Sequence, residues 1–148
     1  MELEWKCTAF DDLTVHELYA IMRLRTEVFV VEQNCVFQDA DNKDQYCYHL
    51  AGWHSGNLAV YARLVPPGVT YSEVSIGRVI TSPKYRGGGA GKALLKTAIL
   101  NCALIFGKKK IKIGAQLYLK KFYESFGFQQ VGDVYLEDGI PHIYMYKI

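Results

Sequence analysis

Several large classes of protein are excluded by what this sequence has little of. Its four cysteines, Cys7, Cys35, Cys47 and Cys102, are scattered and form no CxxC pair. Zinc sites normally show at least one close ligand pair, so no metal is expected, and the thiols read as reduced side chains filling apolar space. No long hydrophobic run is present: the longest, Ala98 to Phe106, is interrupted by Asn101. A membrane span needs about 20 apolar residues. The opening residues, Met1 to Lys6, lack the basic start and apolar stretch of a secretory signal, so a cytoplasmic protein without membrane contact is expected. Net charge is only +2, too small to make nucleic acid the expected partner. Repeats, low-complexity tracts and long linkers are also missing.

What is present suits one packed core. Half of the 148 residues are hydrophobic and 22% are charged, which fits a single domain over 1–148 and not a disordered chain. Leu3, Trp5, Cys7 and Ala9 alternate with polar neighbours, the period of a half-buried strand. Thr14 and Glu17 have the spacing of a capping box, which opens a helix through Leu18, Ile21, Leu24, Arg25 and Val28. The β-branched patch at Phe29-Val30-Val31 predicts a bend or fraying. After a polar loop over 34–45, strands are expected at 46–54 and 58–65 around a Ser55-Gly56-Asn57 turn, and again at 72–81. A helix from the glycine-rich segment to about Phe106, a strand at 111–115, a short helix at 118–126 and a hairpin of 128–135 with 142–148 complete the chain. The order β-α-β-β-β-α-β-α-β-β makes an α+β or mixed α/β sheet flanked by helices.

The segment from Ile76 to Leu94 carries the chemistry. It reads strand, loop, helix, with Arg86-Gly87-Gly88-Gly89-Ala90-Gly91-Lys92 at the junction. Glycines at a helix start let backbone N–H groups approach an anion, and the helix dipole adds roughly half a positive charge there. Two familiar phosphate loops fail on residues. The Walker A pattern needs Gly where Arg86 stands and Ser or Thr where Ala93 stands. The dinucleotide fingerprint needs a third Gly at 92 or 94, occupied by Lys92 and Leu94. A turn that serves only tight strand–helix packing is the plainer alternative.

Arg86-Gly87-Gly88-Gly89-Ala90-Gly91 and Tyr123-Glu124-Ser125-Phe126-Gly127-Phe128 resemble the pyrophosphate loop and the later Tyr-x-x-x-Gly-Phe motif of the GNAT acetyltransferases. The segments 25–33, 39–41 and 137–142 are similar to the ElaA-like branch of that family. The resemblance covers nearly the whole chain. It implies a mostly antiparallel twisted sheet with a splayed parallel strand pair. It also implies acetyl-CoA as co-substrate, with Val79, Ile80 and Thr81 offering backbone groups to the pantetheine arm and Arg86, Gly87, Gly88, Gly89, Ala90, Gly91 and Lys92 holding the pyrophosphate.

Transfer of acetyl from a thioester to an amine asks for two proton movements. Tyr123 matches the family's tyrosine acid; simple packing beside Phe122 and Phe126 is its alternative. Glu73 matches the glutamate base of histone-acetyltransferase-type relatives and shares a face with Ser75, Gly77 and Val79 by period-two counting. Glu32, His49, His142 and an ordered water are rivals for that role, and a backbone N–H near Val79 or Ile80 would hold the oxyanion. Asp39, Asp41 and Asp44, with Glu137 and Asp138, read either as solvated loops or as attractors of a cationic amine. Lys108-Lys109-Lys110 with Lys112 reads as a solvated turn. Arg25 and Arg78 lie among apolar residues and are each expected to pair with a carboxylate.

The reading is an enzyme that moves acetyl from acetyl-CoA directly onto a primary amine, of a small molecule or a peptide. A non-catalytic acyl-CoA-binding or sensing module is the alternative, and acyl-homoserine lactone synthesis a third reading. Strand edges near the C-terminus leave a homodimer open.

Overall fold

The computed structural model describes residues 2–148. Strand β1 (Glu4–Ala9) leads through a short 3-10 turn to α1 (Val15–Arg25), whose start has the expected capping box: Glu17 N–H donates to Thr14 Oγ1 at 3.1 Å and Thr14 N–H to Glu17 Oε1 at 2.9 Å. The expected bend at 29–31 is a change of winding. Residues Thr26–Glu32 continue as a π-helix, with Gln33 N–H reaching Val28 O and Cys35 N–H reaching Val30 O. Widened turns of this kind relieve crowding among Thr26, Val28, Val30 and Val31, and they recur at functional sites.

Strands β2 (Tyr48–His54), β3 (Asn57–Val65) and β4 (Ser75–Thr81) join β1 in an antiparallel sheet of order β1-β2-β3-β4. Helix α2 (Ala90–Phe106) follows, then β5 (Ile111–Gln116), a 3-10 turn, α3 (Lys120–Glu124), β6 (Gln129–Glu137) and β7 (Ile140–Lys147). The last three strands form a second antiparallel sheet of order β5-β7-β6. Its hairpin turns at Asp138 (φ 52) and Gly139 (φ 76), the paired positive φ of a type I′ turn.

The two sheets touch at one parallel bridge, Val74 to Ile111, where Lys112 N–H donates to Val74 O at 2.9 Å. Beyond it β4 and β5 diverge, which is the splayed parallel pair. The strand expected from 72 therefore begins in the ladder only at Ser75. A bulge bends β4 further. Tyr61 opposes Ile80 and Arg63 opposes Gly77, so Ala62 faces both Arg78 and Val79, and Arg78 takes φ 50. The bulge also breaks the period-two count that put Glu73 on one face with Val79.

Strand β3 is buried on both faces from Ala59 to Val65. One face packs Leu94, Leu95, Ala98 and Cys102 of α2; the other packs Tyr61 against Ile21, Leu24 and Val28 of α1 and the π segment. A strand sandwiched in this way needs a near-continuous apolar run, and 58–65 supplies it with one exception, Arg63.

That exception belongs to a buried ion cluster. Arg25, fully buried at 0% exposure, donates from Nε to Asp39 Oδ2 at 2.8 Å and from Nη1 to Asp44 Oδ1 at 2.7 Å. Arg63 holds Asp41 with both terminal nitrogens at 2.9 Å and reaches Asp44 at 2.9 Å. Arg78 holds Asp39 Oδ1 at 2.8 Å. The aspartates read as a solvated or amine-attracting loop are thus a structural plug: three negative charges are cancelled by three arginines from α1, β3 and β4. The pairing expected for Arg25 and Arg78 is as found. Behind them His49 Nε2 donates to Asp44 O at 2.9 Å, which leaves Nδ1 to accept from the Tyr61 hydroxyl at 2.7 Å.

Removal of one partner from such a cluster leaves an uncompensated buried charge, so Arg25→Ala is expected to cost about 3–5 kcal/mol in urea unfolding. Acid should act in two windows. Burial holds the His49 ring below its ordinary value, so its contribution is complete above about pH 6.5 and falls away below it. Burial pushes the Asp41 and Asp44 carboxyls up, but hydrogen bonds and charge from Arg63 and Arg25 outweigh it and hold both low. Their contribution is complete above about pH 4 and is lost as pH falls further. The urea midpoint should therefore decline from about pH 6.5 in two stages, and Asp41→Asn should shrink the lower one. A decline confined to the carboxylate range would contradict the neutral burial of His49.

Candidate active site

A cavity of about 840 Å³ fills the splay between β4 and β5. Its floor is β4 from Ser75 to Thr81, and Ile113, Gly114 and Gln116 of β5 stand opposite. The π segment contributes Val28, Phe29 and Glu32 to one wall, and α3 contributes Phe122 and Tyr123 to another. Glu137, Asp138, Ile140 and His142 of the final hairpin, with Cys35 and Phe37, line its mouth, where the Glu137 side chain is largely exposed.

Val79, Ile80, Thr81, Arg86, Gly91 and Tyr123 are brought together on this cavity. Gly87, Gly88, Gly89, Ala90 and Lys92 form the loop and first helical turn beyond its Arg86 end. Gly87 (φ 88) and Gly89 (φ 81) hold left-handed conformations that only glycine adopts without strain. Side chains added at 87, 88 or 89 would meet nothing within 4 Å, so the loop is open to a ligand. The first helical bond runs from Ala93 N–H to Gly89 O, and no side chain caps the start of α2. The N–H groups of Ala90, Gly91 and Lys92 are therefore available to an anion.

Arg86 differs from its expected place. Its guanidinium grips Glu32 at 2.7 Å through both Nη1 and Nη2, and its Nε donates to Thr81 O at 3.2 Å. The Glu32 carboxyl is held below its ordinary value by that hydrogen bond and charge. Arg86 thus braces the π segment to the loop, and Glu32 is occupied as a proton acceptor.

Glu73 is not brought to the cavity. It sits in the loop before β4, where Ser72 Oγ donates to its Oε1 at 3.0 Å. Its carboxyl lies below the ordinary value: burial raises it slightly, and the Ser72 hydrogen bond and Lys112 lower it more. His49 is sealed behind the ion cluster with both ring nitrogens engaged. Tyr123 is 6% exposed and packs edge-on against Phe122 (5.3 Å) and Phe128 (5.9 Å), yet it lines the cavity as well. Burial pushes its phenol up, which keeps it protonated at neutral pH.

Residues outside the expected site also shape the cavity and its surroundings. Gln33 and Gln116 exchange amide hydrogen bonds across it at 3.3 and 3.5 Å. Arg78 lies 5.9 Å from the ring centroids of both Phe29 and Phe37. Arg63 also lines the cavity and was legible in principle, as the single charge in the apolar run 58–65. The lysines read as a solvated turn are partly engaged: Lys110 lies 3.8 Å over the Tyr146 ring, and Lys112 lies 4.6 Å over both Tyr71 and Tyr144. Among the described residues no cluster of side chains fits a metal ion, and no helix is long and apolar enough to cross a membrane.

A family model described as an acetyltransferase (GNAT) domain matches residues 20–148. The chain belongs to the GNAT acetyltransferase family. It is similar to protein ElaA of Escherichia coli strain K12, with 43% identity over 145 residues covering 97% of this chain and 95% of that one. Among solved structures, an acyl-CoA N-acyltransferase from Pseudomonas aeruginosa superposes with a TM-score of 0.95 at 42% identity, covering 99% of this chain and 100% of that one. The E. coli ElaA structure superposes at 0.93 with 41% identity, covering 99% of both chains. This GNAT chain is accordingly ElaA-like, and its mixed α/β architecture is the acyl-CoA N-acyltransferase fold.

The loop's geometry makes a clean stability test. Gly88, whose φ is not in the left-handed region, should accept Ala with a change within about 0.5 kcal/mol. Gly89→Ala should cost about 1 kcal/mol or more in urea unfolding, because it forces a Cβ into a left-handed backbone. Equal effects at the two positions would contradict the loop conformation.

Proposed function

We propose that this GNAT chain transfers the acetyl group of acetyl-CoA directly to a primary amine. The observation that carries the reading is one cavity that reaches Arg86 and Gly91 of the glycine loop and is lined also by Tyr123 and by Glu137 and Asp138 of the final hairpin. The pyrophosphate would sit on the N–H groups of 87–92, where the helix dipole and Lys92 favour negative charge. The pantetheine arm would run along the ladder-free edge of β4 at Val79, Ile80 and Thr81, adding its amides as a further strand partner. The bulge at Arg78-Val79 turns a backbone N–H near Val79 or Ile80 out of the ladder, which suits an oxyanion.

Tyr123 is the proposed acid. A phenol kept protonated by burial can hydrogen-bond to the sulfur and hand it a proton as the C–S bond breaks. Glu137 and Asp138 at the mouth favour a cationic acceptor by charge complementarity, in place of the neutralised cluster of Asp39, Asp41 and Asp44. These features favour turnover over a sensing module, since binding alone requires neither Tyr123 nor an acidic mouth.

Calorimetry tests the co-substrate first. Wild type should bind acetyl-CoA, and Gly88→Glu should weaken binding at least tenfold with an unchanged melting temperature, through repulsion of the pyrophosphate. Equal affinity would remove the loop from the site. CoA release with polyamines, amino acids and lysine peptides then tests transfer. Tyr123→Phe should lower kcat by roughly 10²-fold and leave acetyl-CoA affinity intact; unaltered kcat would relieve Tyr123 of the acid role.

A further inference from the structure

We infer that His142 and Glu137 form the seat of the acceptor amine, with His142 Nε2 taking the proton that the amine must lose. The inference rests on the transferase reading above and deepens it. It starts from the ring's tautomer. His142 Nδ1 lies 2.7 Å from Ile140 O, a carbonyl that can only accept, so Nδ1 carries a hydrogen. In the neutral ring Nε2 then holds a lone pair, and it faces Glu137 Oε2 at 3.5 Å. Two acceptors thus converge on one point of the cavity mouth, an arrangement that a proton or an N–H donor from a ligand reconciles.

The surroundings single this pair out. His142 is 7% exposed and stands opposite Gln116 of β5 and Tyr135 of β6, whose ring centroid is 5.7 Å away. The charged or titratable groups beside it are the Tyr135 phenol, Glu137 and Asp138 from the hairpin, and Cys35, whose Sγ donates to Asp138 O at 3.5 Å. Other carboxylates on the cavity are spoken for: Glu32 by Arg86 and Asp41 by Arg63. A ring nitrogen with a free lone pair is also a competent general base toward an ammonium held beside it.

The protons balance. An ammonium enters with its N–H groups between Glu137 and Nε2, gives one proton to Nε2, and becomes a nucleophile. Its nitrogen forms the C–N bond as the C–S bond breaks. The nitrogen releases its second proton to solvent, and Tyr123 takes back from solvent the proton it gave to sulfur. His142 returns its proton to solvent, so the net products are amide, free CoA thiol and one proton.

Two measurements decide it. Nitrogen-15 correlation spectra of the imidazole should show the Nδ1–H tautomer in the neutral protein; an Nε2–H ring would overturn the inference whatever the activity. His142→Gln should keep acetyl-CoA affinity within about twofold while kcat falls at least roughly 10²-fold and the acid limb of the kcat/KM profile disappears. A His142→Gln enzyme with wild-type kcat and an unchanged profile would overturn this inference alone. A wild type that binds acetyl-CoA and acetylates no amine would overturn the transferase reading, and this inference with it.

Discussion

Three arginines and three aspartates, four of them buried and Arg78 and Asp41 partly so, hold the parts of this molecule in register. Arg25 comes from the end of α1, Arg63 from the middle of β3 and Arg78 from the bulge of β4, while all three aspartates come from one loop, 39–44. Desolvating six charges is expensive, and only near-complete mutual satisfaction makes it tolerable. The geometry supplies this: bidentate grips, shared oxygens and backbone carbonyls as additional acceptors. The cluster thereby ties a loop without regular structure to the helix and the sheet. It also holds Arg78 in a left-handed conformation that a long side chain seldom adopts.

The consequences reach the cavity directly. The bulge around Arg78 twists β4 away from β5 just beyond the single bridge at Val74, and the cavity is the space so opened. The π segment follows Arg25 without a break and carries Phe29 and Glu32 to the wall, where Glu32 meets Arg86. One electrostatic plug and one exposed ion pair therefore fix the wall on the α1 side. The opposite side is built differently, from the β5-β7-β6 sheet, whose final hairpin carries Glu137 and His142. Chemistry at the junction of two such units requires that neither drift, and the shared core of α2, β3 and β7 keeps them together.

Much of this was legible in the residues. The capping box at Thr14, the turns at Ser55-Gly56 and Asp138-Gly139, the glycine loop and the motif at Tyr123 all encode short-range geometry, and all appear where expected. The pairing of Arg25 and Arg78 with carboxylates was legible as well, because a lone charge in an apolar run demands a partner. Which partner was not legible. Asp39, Asp41 and Asp44 have the composition of a solvated loop, and only burial against three arginines turns them into a plug. The place of Glu73, in the loop before β4 and off the cavity lining, was not legible either, and neither was the break in alternation along β4. Counting by twos is a local rule, and the bulge at Arg78 that voids it depends on a pairing with β3, a strand that ends ten residues before β4 begins.

The sequence by itself determined the element order, the family and the glycine loop, since each is written in contiguous residues whose spacing sets their local geometry. Tertiary structure alone decided the company of the side chains: that Arg86 is committed to Glu32, that Tyr123 is both packed and on the cavity, and that His142 Nε2 stands beside Glu137. The physical reason is range. Backbone conformation responds to neighbours a few residues away, whereas desolvation and charge pairing depend on groups that meet only when strands far apart in the chain are brought side by side.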